Sequence, residues 1–485
     1  MFKLTPLTAA ILVIVSAQAM ADDSLSIQNQ DGTANIAEVK QIVAPFSTAT
    51  QQQLGEGNNA ATKQDNATGT ITQDQLGNYN AGYAEQLFEN NSTIKQQQVG
   101  SFNTSHASQS IGLGGNEALQ QQQGSGNFSF IYQEGQDGNT ATTVQLGDSN
   151  EANIEQLQYG TANKATVIQY DTANSGTVEH VGHVAGQINI YQAGEGNYAY
   201  GDQSFGDGGT VTINQLGDMN GTEVWQDSQL ASHATIDQIG LTNETIVDQS
   251  FGENNNAQVL QVGDANAIYA DQFDSVGSVL VLYQQGIGNV HFTYQSGDSH
   301  VLNATSVGND NKVYASNWKG PQLGGQFGSN QRATITQNGN ANVASFTQDG
   351  GGHIMTTNQT GTGNKTTVSQ ADTYNELYFD QNGSDNILIA SQRGTNNLAQ
   401  GTSTNMGAGP GNSTEFDQSG MGNQAFTTQD GSDNHITVKQ ADSMNVAYVT
   451  QGGTGNIASI DQSGMTQMAT VQQYGTGNQA TVLQQ

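Results

Sequence analysis

A repeat of eleven residues is the feature that most constrains how this chain can fold. Over residues 418–485, glutamine returns at every eleventh position, at Gln418, Gln429, Gln440, Gln451, Gln462, Gln473 and Gln484. In most of these intervals an asparagine stands five residues after the first glutamine, at Asn423, Asn434, Asn445, Asn456 and Asn478. A register held this long indicates a structural repeat, in which one supersecondary unit stacks on the next.

The same motif, Gln-x-Gly-x-x-Asn-x-Ala-x-x-x-Gln, runs through the chain from Gln30 onward. From Gln192 to Gln284 its starts are evenly spaced at every twenty-third position, and from Gln337 to Gln392 glutamine returns at every eleventh position. One unit is therefore two arms of roughly 22–23 residues together, and ~20 units fit before Gln484. Other clear copies begin at Gln53, Gln75, Gln98, Gln122, Gln145, Gln158, Gln215, Gln238 and Gln261. In the weaker stretch that follows Gln158, His180 takes a glutamine position.

Each arm predicts a strand followed by a tight turn. Asn342, Ala344, Phe346 and Gln348 are spaced two apart, so they lie on one face of a strand. The residues between each Gln and the next Asn are rich in Gly, Asp, Ser and Asn, which favour turns. We therefore predict an all-β fold, a β-solenoid of about 20 rungs, each with two strand–turn arms of about 11–12 residues, forming two parallel sheets in a cross-β, amyloid-like arrangement.

Buried amides of this kind are predicted to stack in ladders. An unpaired polar group in a core costs ~1–3 kcal/mol, but an amide above an identical amide donates to one neighbour and accepts from the other. The predicted structural ladder consists of Gln30, Asn35, Gln41, Gln53, Asn58, Gln64, Gln238, Asn243, Gln249, Gln284, Asn289, Gln295, Gln337, Asn342, Gln348, Gln418, Asn423, Gln429, Asn434, Gln440, Asn445, Gln451, Asn456, Gln462, Gln473, Asn478 and Gln484.

The chain is predicted to be exported. Residues 1–21 have the features of a bacterial, Sec-type secretory signal peptide, with Lys3, an apolar run from Ala9 to Ala17 and small residues before Asp22. Residues 22–485 are predicted to form one solenoid, irregular near residues 170–191, 317–326 and 403–412. Cysteine is absent, so there are no disulfides, and no apolar run of ~20 residues predicts a transmembrane segment. A net charge of -32 argues against nucleic acid as a partner.

Signals for catalysis or metal binding are weak. His180 and His183 are the clustered histidines, and without Cys or Glu at ligand spacing we interpret them as part of a turn. Turn aspartates at Asp148, Asp218 and Asp264 allow a calcium stripe, but ordinary turns are the preferred interpretation. The sequence thus predicts no catalytic residue, no metal site, no cofactor and no enzyme.

Some arms place large apolar residues outward. The outward residues are Phe128, Phe130 and Tyr132 in one arm, and Val290, Phe292 and Tyr294 in another. Such side chains either mediate adhesion or bundling between fibres, or act as local strand-formers covered by neighbouring turns.

Four units fit a longer motif, Ser-x5-Gln-x4-Asn-x5-Gln. They are Ser47-Gln53-Asn58-Gln64, Ser92-Gln98-Asn103-Gln109, Ser232-Gln238-Asn243-Gln249 and Ser278-Gln284-Asn289-Gln295. In this the chain resembles the curlin family, the subunits of curli amyloid fibres, although it is unusually long. The resemblance implies a secreted protein that self-assembles into a homopolymeric fibre at the cell surface, for biofilm matrix, adhesion and colonisation. It also implies a curli-type nucleator and outer-membrane export machinery as partners.

Three functions remain open from the sequence: a self-assembling fibre subunit, a monomeric β-solenoid adhesin or ligand-binding surface protein, and a β-helix enzyme. A monomeric solenoid needs polar caps on its end rungs. The motif runs from Gln30 to Gln484, which leaves little room for caps and favours assembly. Because like charges on stacked turns repel, the acidic excess predicts faster assembly at low pH or high salt.

Overall fold

The computed structural model describes residues 23–317, 324–407 and 409–485, and the predicted signal peptide lies outside them. Over these residues the chain forms strands and turns, and no membrane-spanning helix is found among them. The all-β prediction is confirmed. The strands are β1 (Leu25–Thr33), β2 (Ile36–Ile42), β3 (Thr48–Glu56), β4 (Asn59–Asp65), β5 (Thr68–Asn78), β6 (Ala81–Leu87), β7 (Asn90–Ser101), β8 (Thr104–Ser110), β9 (Glu117–Ser125), β10 (Phe128–Glu134), β11 (Thr140–Asp148), β12 (Glu151–Leu157), β13 (Lys164–Thr172), β14 (Ser175–Val181), β15 (Gln187–Glu195), β16 (Tyr198–Ser204), β17 (Thr210–Asp218), β18 (Gly221–Asp227), β19 (His233–Leu241), β20 (Glu244–Ser250), β21 (Asn256–Asp264), β22 (Ala267–Val276), β23 (Val279–Ile287), β24 (Val290–Asp298), β25 (Val301–Val307), β26 (Lys312–Ala315), β27 (Gly325–Ser329), β28 (Arg332–Asn340), β29 (Val343–Gly351), β30 (Ile354–Thr362), β31 (Lys365–Thr373), β32 (Glu376–Ser384), β33 (Ile387–Thr395), β34 (Leu398–Asn405), β35 (Ser413–Met421), β36 (Gln424–Ser432), β37 (His435–Ser443), β38 (Val446–Thr454), β39 (Ile457–Met465), β40 (Met468–Thr476) and β41 (Gln479–Gln484).

Successive strands alternate between two parallel sheets. Sheet A contains the odd-numbered strands β1–β25 and the even-numbered strands β28–β40, 20 in all. Sheet B contains the remaining strands, and within each sheet a strand pairs in parallel with the strands one turn earlier and one turn later. One strand of each sheet with its two turns forms a rung. The prediction of a β-solenoid of about 20 rungs is confirmed.

Strands of neighbouring rungs pair so that equivalent positions of the motif lie directly opposite each other. In sheet A, Gln192, Gln215 and Gln238 lie directly above one another at the spacing predicted for this part of the chain. Elsewhere the interval is shorter by one, as between Gln337 and Gln359, or longer by one, as between Gln145 and Gln169. Because side chains alternate faces with a period of two, this register keeps every inward residue inward.

The motif copy predicted at Gln158 is wrong. Gln158 is an exposed turn residue with a φ of 63°, and Gln169 pairs with Gln145 in its place. The irregularity expected near residues 170–191 is also absent from the strand pairing, because β13, β14 and β15 pair in full register with their neighbours. The register is kept because the turn after β12 absorbs the extra residues.

The other two irregular segments are insertions. Near residues 317–326, β26 and β27 together fill one rung of sheet B, since both pair with β24 and with β29. Residues 318–323 between them lie outside the described residues. Near residues 403–412, the enlarged turn between β34 and β35 lengthens the interval from Ser403 to its partner Gln429 beyond that of a regular rung. Both insertions leave the stack continuous.

The core lies between the two sheets and consists of small and medium side chains. Ala344, Phe346, Ala425 and Ile436 are 0–2% exposed, and alanine, valine and isoleucine predominate among the other buried apolar residues. Asn342 and Gln348 of the same arm are fully buried beside Ala344 and Phe346, on the face assigned to them from the spacing. Alternating in–out burial is the pattern of a sheet with one buried face.

A column of glycines fixes the bend at the end of most strands of sheet A, with Asp171 and Asn405 in two of the glycine positions. Gly240 has a φ of +125°, a backbone conformation that glycine adopts readily. A Cβ atom on Gly240 would lie 2.1 Å from the carbonyl oxygen of Gly263 in the next rung. The glycine is therefore required both by its conformation and by the close approach of successive turns.

A third, short ladder lies in the turns from sheet B to sheet A and has no counterpart in the sequence prediction. Single parallel bridges join Gly114, Asp137, Thr161, Val184, Asp207, Leu230, Glu253 and Val276 in order. In this part of the chain the turns from sheet B to sheet A are longer than elsewhere, and one residue of each turn forms the bridge.

Gly240→Ala is expected to destabilise the solenoid by roughly 2–4 kcal/mol, since left-handed strain alone costs about 1–3 kcal/mol and the added carbon meets a backbone oxygen. Denaturant unfolding measures the loss. The matched control is Gly221→Ala, because a Cβ atom at Gly221 meets nothing within 4 Å. Equal stability of both variants would contradict this account of the turn.

Candidate functional site: the stacked amide columns

The structure gathers the predicted ladder residues into four columns parallel to the solenoid axis. Glutamine column A, in sheet A, contains Gln30, Gln53, Gln238, Gln284, Gln337, Gln429, Gln451 and Gln473. Glutamine column B, in sheet B, contains Gln41, Gln64, Gln249, Gln295, Gln348, Gln418, Gln440, Gln462 and Gln484. The asparagine column, in the turns from sheet A to sheet B, contains Asn35, Asn58, Asn243, Asn289, Asn342, Asn434, Asn456 and Asn478. The second turn column contains Asn423 and Asn445.

Both glutamine columns have one direction. In column A, Gln238 Nε2 donates to Gln261 Oε1 at 2.9 Å, and Gln261 Nε2 donates to Gln284 Oε1 at 2.9 Å. In column B, Gln440 Nε2 donates in the same direction to Gln462 Oε1, again at 2.9 Å. Every such bond runs from an earlier rung to a later one.

The second hydrogen of each amide joins the two sheets. Gln53 Nε2 donates to the backbone carbonyl of Ile36 at 2.9 Å, and Gln440 Nε2 donates to that of Gln424 at 2.9 Å. Each acceptor belongs to the facing sheet. A glutamine therefore bonds along the axis with one N–H and across the core with the other, which satisfies both donors of the amide.

The asparagine column links three rungs through each member. The backbone N–H and the Nδ2 of Asn243 both donate to Asn220 Oδ1, at 3.1 and 3.0 Å. Asn243 Nδ2 also donates to the carbonyl oxygen of Gly263, in the following rung, at 2.7 Å. The same backbone contact joins Asn478 to Asn456 at 3.1 Å and recurs in every rung from Asn58 onward.

The second turn column is mixed. Asn423 Oδ1 accepts from the backbone N–H of Asn445 at 3.1 Å. Ser278 holds the equivalent position in an earlier rung, where its hydroxyl accepts from the backbone N–H of His300 at 3.1 Å. Both sets of turns thus use side-chain oxygens to hold the next rung, but the second set tolerates several residue types.

The glutamine columns are interrupted where other residues take a glutamine position. His180 lies between Gln156 and Gln203 in column B, and its Nε2 is 3.0 Å from Gln203 Oε1. Burial lowers the pKa of His180 to about 3, so the ring is neutral. In column A, Ser306 donates to Gln337 Oε1 at 2.8 Å and lies 2.8 Å from His291 Nε2. The imidazole of His291, from the facing sheet, occupies the space that the short serine leaves.

A further glutamine column was missed from the sequence. Gln28, Gln51, Gln73, Gln96 and Gln120 are stacked beside column A, and their Nε2–Oε1 distances are 2.7–3.0 Å. The signal was present as a Gln-x-Gln pattern, because each of these residues stands two positions before a column A glutamine. The first five rungs therefore carry two amide ladders in sheet A.

The turns from sheet B to sheet A contain a second unpredicted arrangement, with a period of two rungs. Bulky polar side chains alternate with glycines in the order Glu89, Gly112, Gln136, Gly160, His183, Gly206, Gln229 and Gly252. A Cβ atom on Gly206 would lie 2.7 Å from His183 Cε1. His183 accepts from the Gly206 N–H at 3.1 Å, and its Nε2 lies 2.8 Å from the Gly208 carbonyl oxygen. Each glycine leaves room for the side chain of the preceding rung.

Metal binding finds no geometric support in the part of the chain that the structure describes, where no three His, Asp or Glu side chains lie together at a possible metal site. The turn aspartates bond to backbone. Asp148 Oδ1 accepts from the Ser125 N–H at 2.8 Å, Asp218 from Glu195 at 2.9 Å and Asp264 from Leu241 at 3.3 Å. Each carboxylate thus holds the turn of the preceding rung.

The outward aromatic residues stack along sheet B. His106 and Phe130 have ring centroids 5.2 Å apart, and Phe292 lies between Tyr269 and Tyr314 at 5.1 and 5.7 Å. Phe128 is 39% exposed. Phe130 and Phe292 therefore contact rings in neighbouring rungs while remaining half-buried, whereas Phe128 stands between Thr104 and Glu151 in its column.

Acidic residues form an outward column on the same sheet. Glu155, Glu179 and Asp202 lie directly above one another, and Asp248 and Asp271 continue the column beyond Trp225. Burial, with nearby carboxylates, raises the pKa of Asp202 to about 6 and that of Asp271 to about 7. The single ion pair among the described residues, Lys63 Nζ to Glu85 at 2.6 Å, lies at the same outward position in earlier rungs.

Gln249→Leu is expected to destabilise the protein by roughly 2–4 kcal/mol. The change removes the acceptor of Gln226 and the donor to Gln272, and each orphaned buried partner costs about 1–3 kcal/mol. Denaturant unfolding measures the effect. The control is Gln258→Leu, at an exposed glutamine on β21, the next strand along the chain. Its free energy of unfolding is expected to change by no more than about 0.5 kcal/mol. A loss as large in the control would mean that stacking inside the column is unimportant.

Asp202 and Asp271 are expected to contribute more to folding stability at pH 5 than at pH 8, whereas His180 and His291, whose pKa values burial lowers to about 3, contribute in the opposite direction. An unfolded aspartate has a pKa of about 3.9, so the raised pKa values of Asp202 and Asp271 make the folded state bind more protons. Their stabilisation is complete below pH ~4 and is lost as the pH rises through 6–7. Unfolding free energies at both pH values test this. Relative to the unaltered protein, the double variant Asp202→Asn, Asp271→Asn should gain more stability at pH 8 than at pH 5, because asparagine cannot ionise. An equal effect at both pH values would contradict the assignment to these two carboxylates.

Comparison with known proteins agrees with this geometry. The family model of the curlin associated repeat matches the chain three times, at residues 137–170, 187–217 and 409–441. A search of curated proteins finds no match. The matched segments lie on rungs that pair in register with their neighbours, and the resemblance to the curlin family is confirmed there. Curlin-associated repeats on a β-solenoid of about 20 turns are consistent with a curlin-family repeat protein and indicate a curli-like extracellular structural protein.

Proposed function

We propose that this protein is a non-catalytic fibre subunit that self-assembles into curli-like amyloid outside the cell. The observation that carries the proposal is the single direction of the glutamine columns. Because each bond between stacked glutamines of these columns runs from Nε2 to the Oε1 of the following rung, a stack of such rungs has free amide donors at one end and free amide acceptors at the other. A second copy placed end to end satisfies both sets.

The backbone supports the same mode of association. A parallel sheet leaves a row of unpaired N–H and C=O groups at its first and last strands, which is a template for another strand. Two unlike ends that fit each other make a heterologous contact, and a heterologous contact that does not close on itself yields a filament. Growth by stacking would continue the cross-β order already present inside one chain.

Further parts of the proposal rest on the curlin-associated repeats. We infer roles in biofilm matrix and adhesion, secretion through an outer-membrane export machinery, and a curli-type nucleator as partner. The outward acidic column supports assembly that begins only after export. Like charges repel and slow association between subunits until acid or salt weakens the repulsion. Proton uptake by Asp202 and Asp271 would reduce the repulsion between subunits as well as within one.

The proposal is tested by diluting the purified chain from denaturant and following amyloid-dye fluorescence, electron microscopy and fibre diffraction. Fibres with reflections near ~4.8 Å and ~10 Å are expected. Growth should be faster at pH 5 than at pH 8, and faster in high salt at pH 8. Soluble monomers that persist at micromolar concentration would overturn the proposal.

A paired substitution separates the ladder from general hydrophobic association. Gln451→Ala with Asn456→Ala removes one member from each of two columns, and slower growth is expected. The control, Ser459→Ala with Thr470→Ala, changes outward positions of neighbouring strands. If both pairs grow at the same rate, the amide columns do not drive assembly.

A further inference from the structure

A cleft of about 470 Å³ opens on sheet A across strands β30, β32, β34, β36 and β38. This volume lies within the range of small-ligand pockets, ~300–1,000 Å³. Its walls come from two outward columns that pair in register. One column carries Tyr378, Gln400, Phe426 and Tyr448, and the other carries Asp380 and the threonines that follow it.

Gly401 lies at the floor of the cleft, on strand β34. It stands at an inward position that other rungs fill with a side chain, between Phe379 and Thr427. The inward space at Gly401 is filled by its neighbours, because a Cβ atom there would lie 2.2 Å from Thr427 Oγ1 and 2.7 Å from Phe379 Cε2. The hydrogen-bonding groups that a ligand can reach in the cleft therefore belong to the outward side chains, such as Asp380, Gln400 and Thr428.

The aromatic wall is preorganised. The rings of Phe426 and Tyr448 stack with centroids 5.1 Å apart and planes 12° apart, and Tyr448 remains 42% exposed. Two parallel rings fixed by each other lose little freedom when a flat ligand packs on them. Tyr378 lies two rungs before Phe426 in the same column, with Gln400 between them.

The polar groups of the cleft fit a ligand rich in hydroxyls. Asp380 accepts from Asn358 Nδ2 at 2.7 Å and keeps further acceptor capacity, while Gln400 and the threonines can both donate and accept. The lining residues that the structure describes include no Lys, Arg or His, so none of them would neutralise a phosphate, sulfate or uronic acid. Aromatic faces with neutral and acidic hydrogen-bonding groups are the chemistry that recognises a neutral sugar.

We propose that this cleft binds pyranose rings of a neutral glycan, packed on Phe426 and Tyr448 and hydrogen-bonded through Asp380, Gln400 and Thr428. The outward side chains stay accessible when rungs stack end to end, because stacking buries only the first and last strands. The site therefore does not depend on self-assembly and would act in the free chain and in a fibre alike.

The test is calorimetric titration of the full chain, before and after assembly, with cellohexaose, xylohexaose and maltohexaose as neutral probes and hexagalacturonate as the anionic probe. At least one neutral hexasaccharide is expected to bind, and hexagalacturonate at least ten-fold more weakly. Absence of neutral binding at millimolar concentration would overturn the proposal, as would equal or tighter binding of the anionic probe.

Variants locate the site. Tyr448→Ala and Phe426→Ala should each weaken binding at least ten-fold, and Asp380→Asn, which keeps the shape of the side chain, should weaken it several-fold with unchanged unfolding. The control is Tyr79→Ala with Phe102→Ala, a ring pair with the same 12° stacking, 5.4 Å apart, away from the cleft. Binding that resists Tyr448→Ala and Asp380→Asn, or that falls equally in the control, would overturn the assignment.

Discussion

The hydrogen bond between identical amides in successive rungs is the interaction on which the rest of this structure depends. A primary amide is neutral and carries two donors, so it can bond along the axis and across the core at once. Gln440 does both, to Gln462 and to the carbonyl of Gln424. Each bond contributes only ~0.5–1.5 kcal/mol, but a slipped rung would orphan every buried amide on both sides of the slip. The columns therefore enforce register more than they add stability.

The stacking of identical residues in successive rungs also determines which residue types suit the core, the outer faces and the turns. Neutral amides inside the core reinforce one another, whereas identical carboxylates outside repel, and the repulsion is relieved by proton uptake at Asp202 and Asp271. Lys63 relieves it differently, by pairing with Glu85 one rung later. In the turns the same geometry brings backbone against backbone, which is why a glycine such as Gly240 stands at the end of most strands of sheet A. One stacking rule thus accounts for core, surface and turns.

Much of this could be predicted because the repeat spacing is itself the structural period. The positions of the strands, their inward faces and the columns of Gln238 and Asn243 followed directly from residue spacing. The copy at Gln158 was misplaced because Gln158-Tyr159-Gly160 imitates the start of a motif, and pairing with Gln145 selects Gln169 instead. The alternation of His183 with Gly206, and the packing of neighbouring side chains against Gly401, depend on what lies one rung away in space. A single-rung motif contains no information about that neighbour.

The chain combines one core with two different exteriors. From Gly114 to Val276 the turns from sheet B to sheet A are long enough to form their own bridges, and the outer face of sheet B carries aromatic and acidic columns. From Gln337 to Gln392 the rungs are shorter, with two equal arms, and that extra ladder is absent from the described residues. The cleft beside Tyr448 lies outside the long-turn region, across rungs that include the insertion near residues 403–412. Because inward residues alone set the register, outward residues are free to differ between the two regions. A long solenoid can therefore separate the task of stacking, which every rung shares, from the task of binding, which needs only a few.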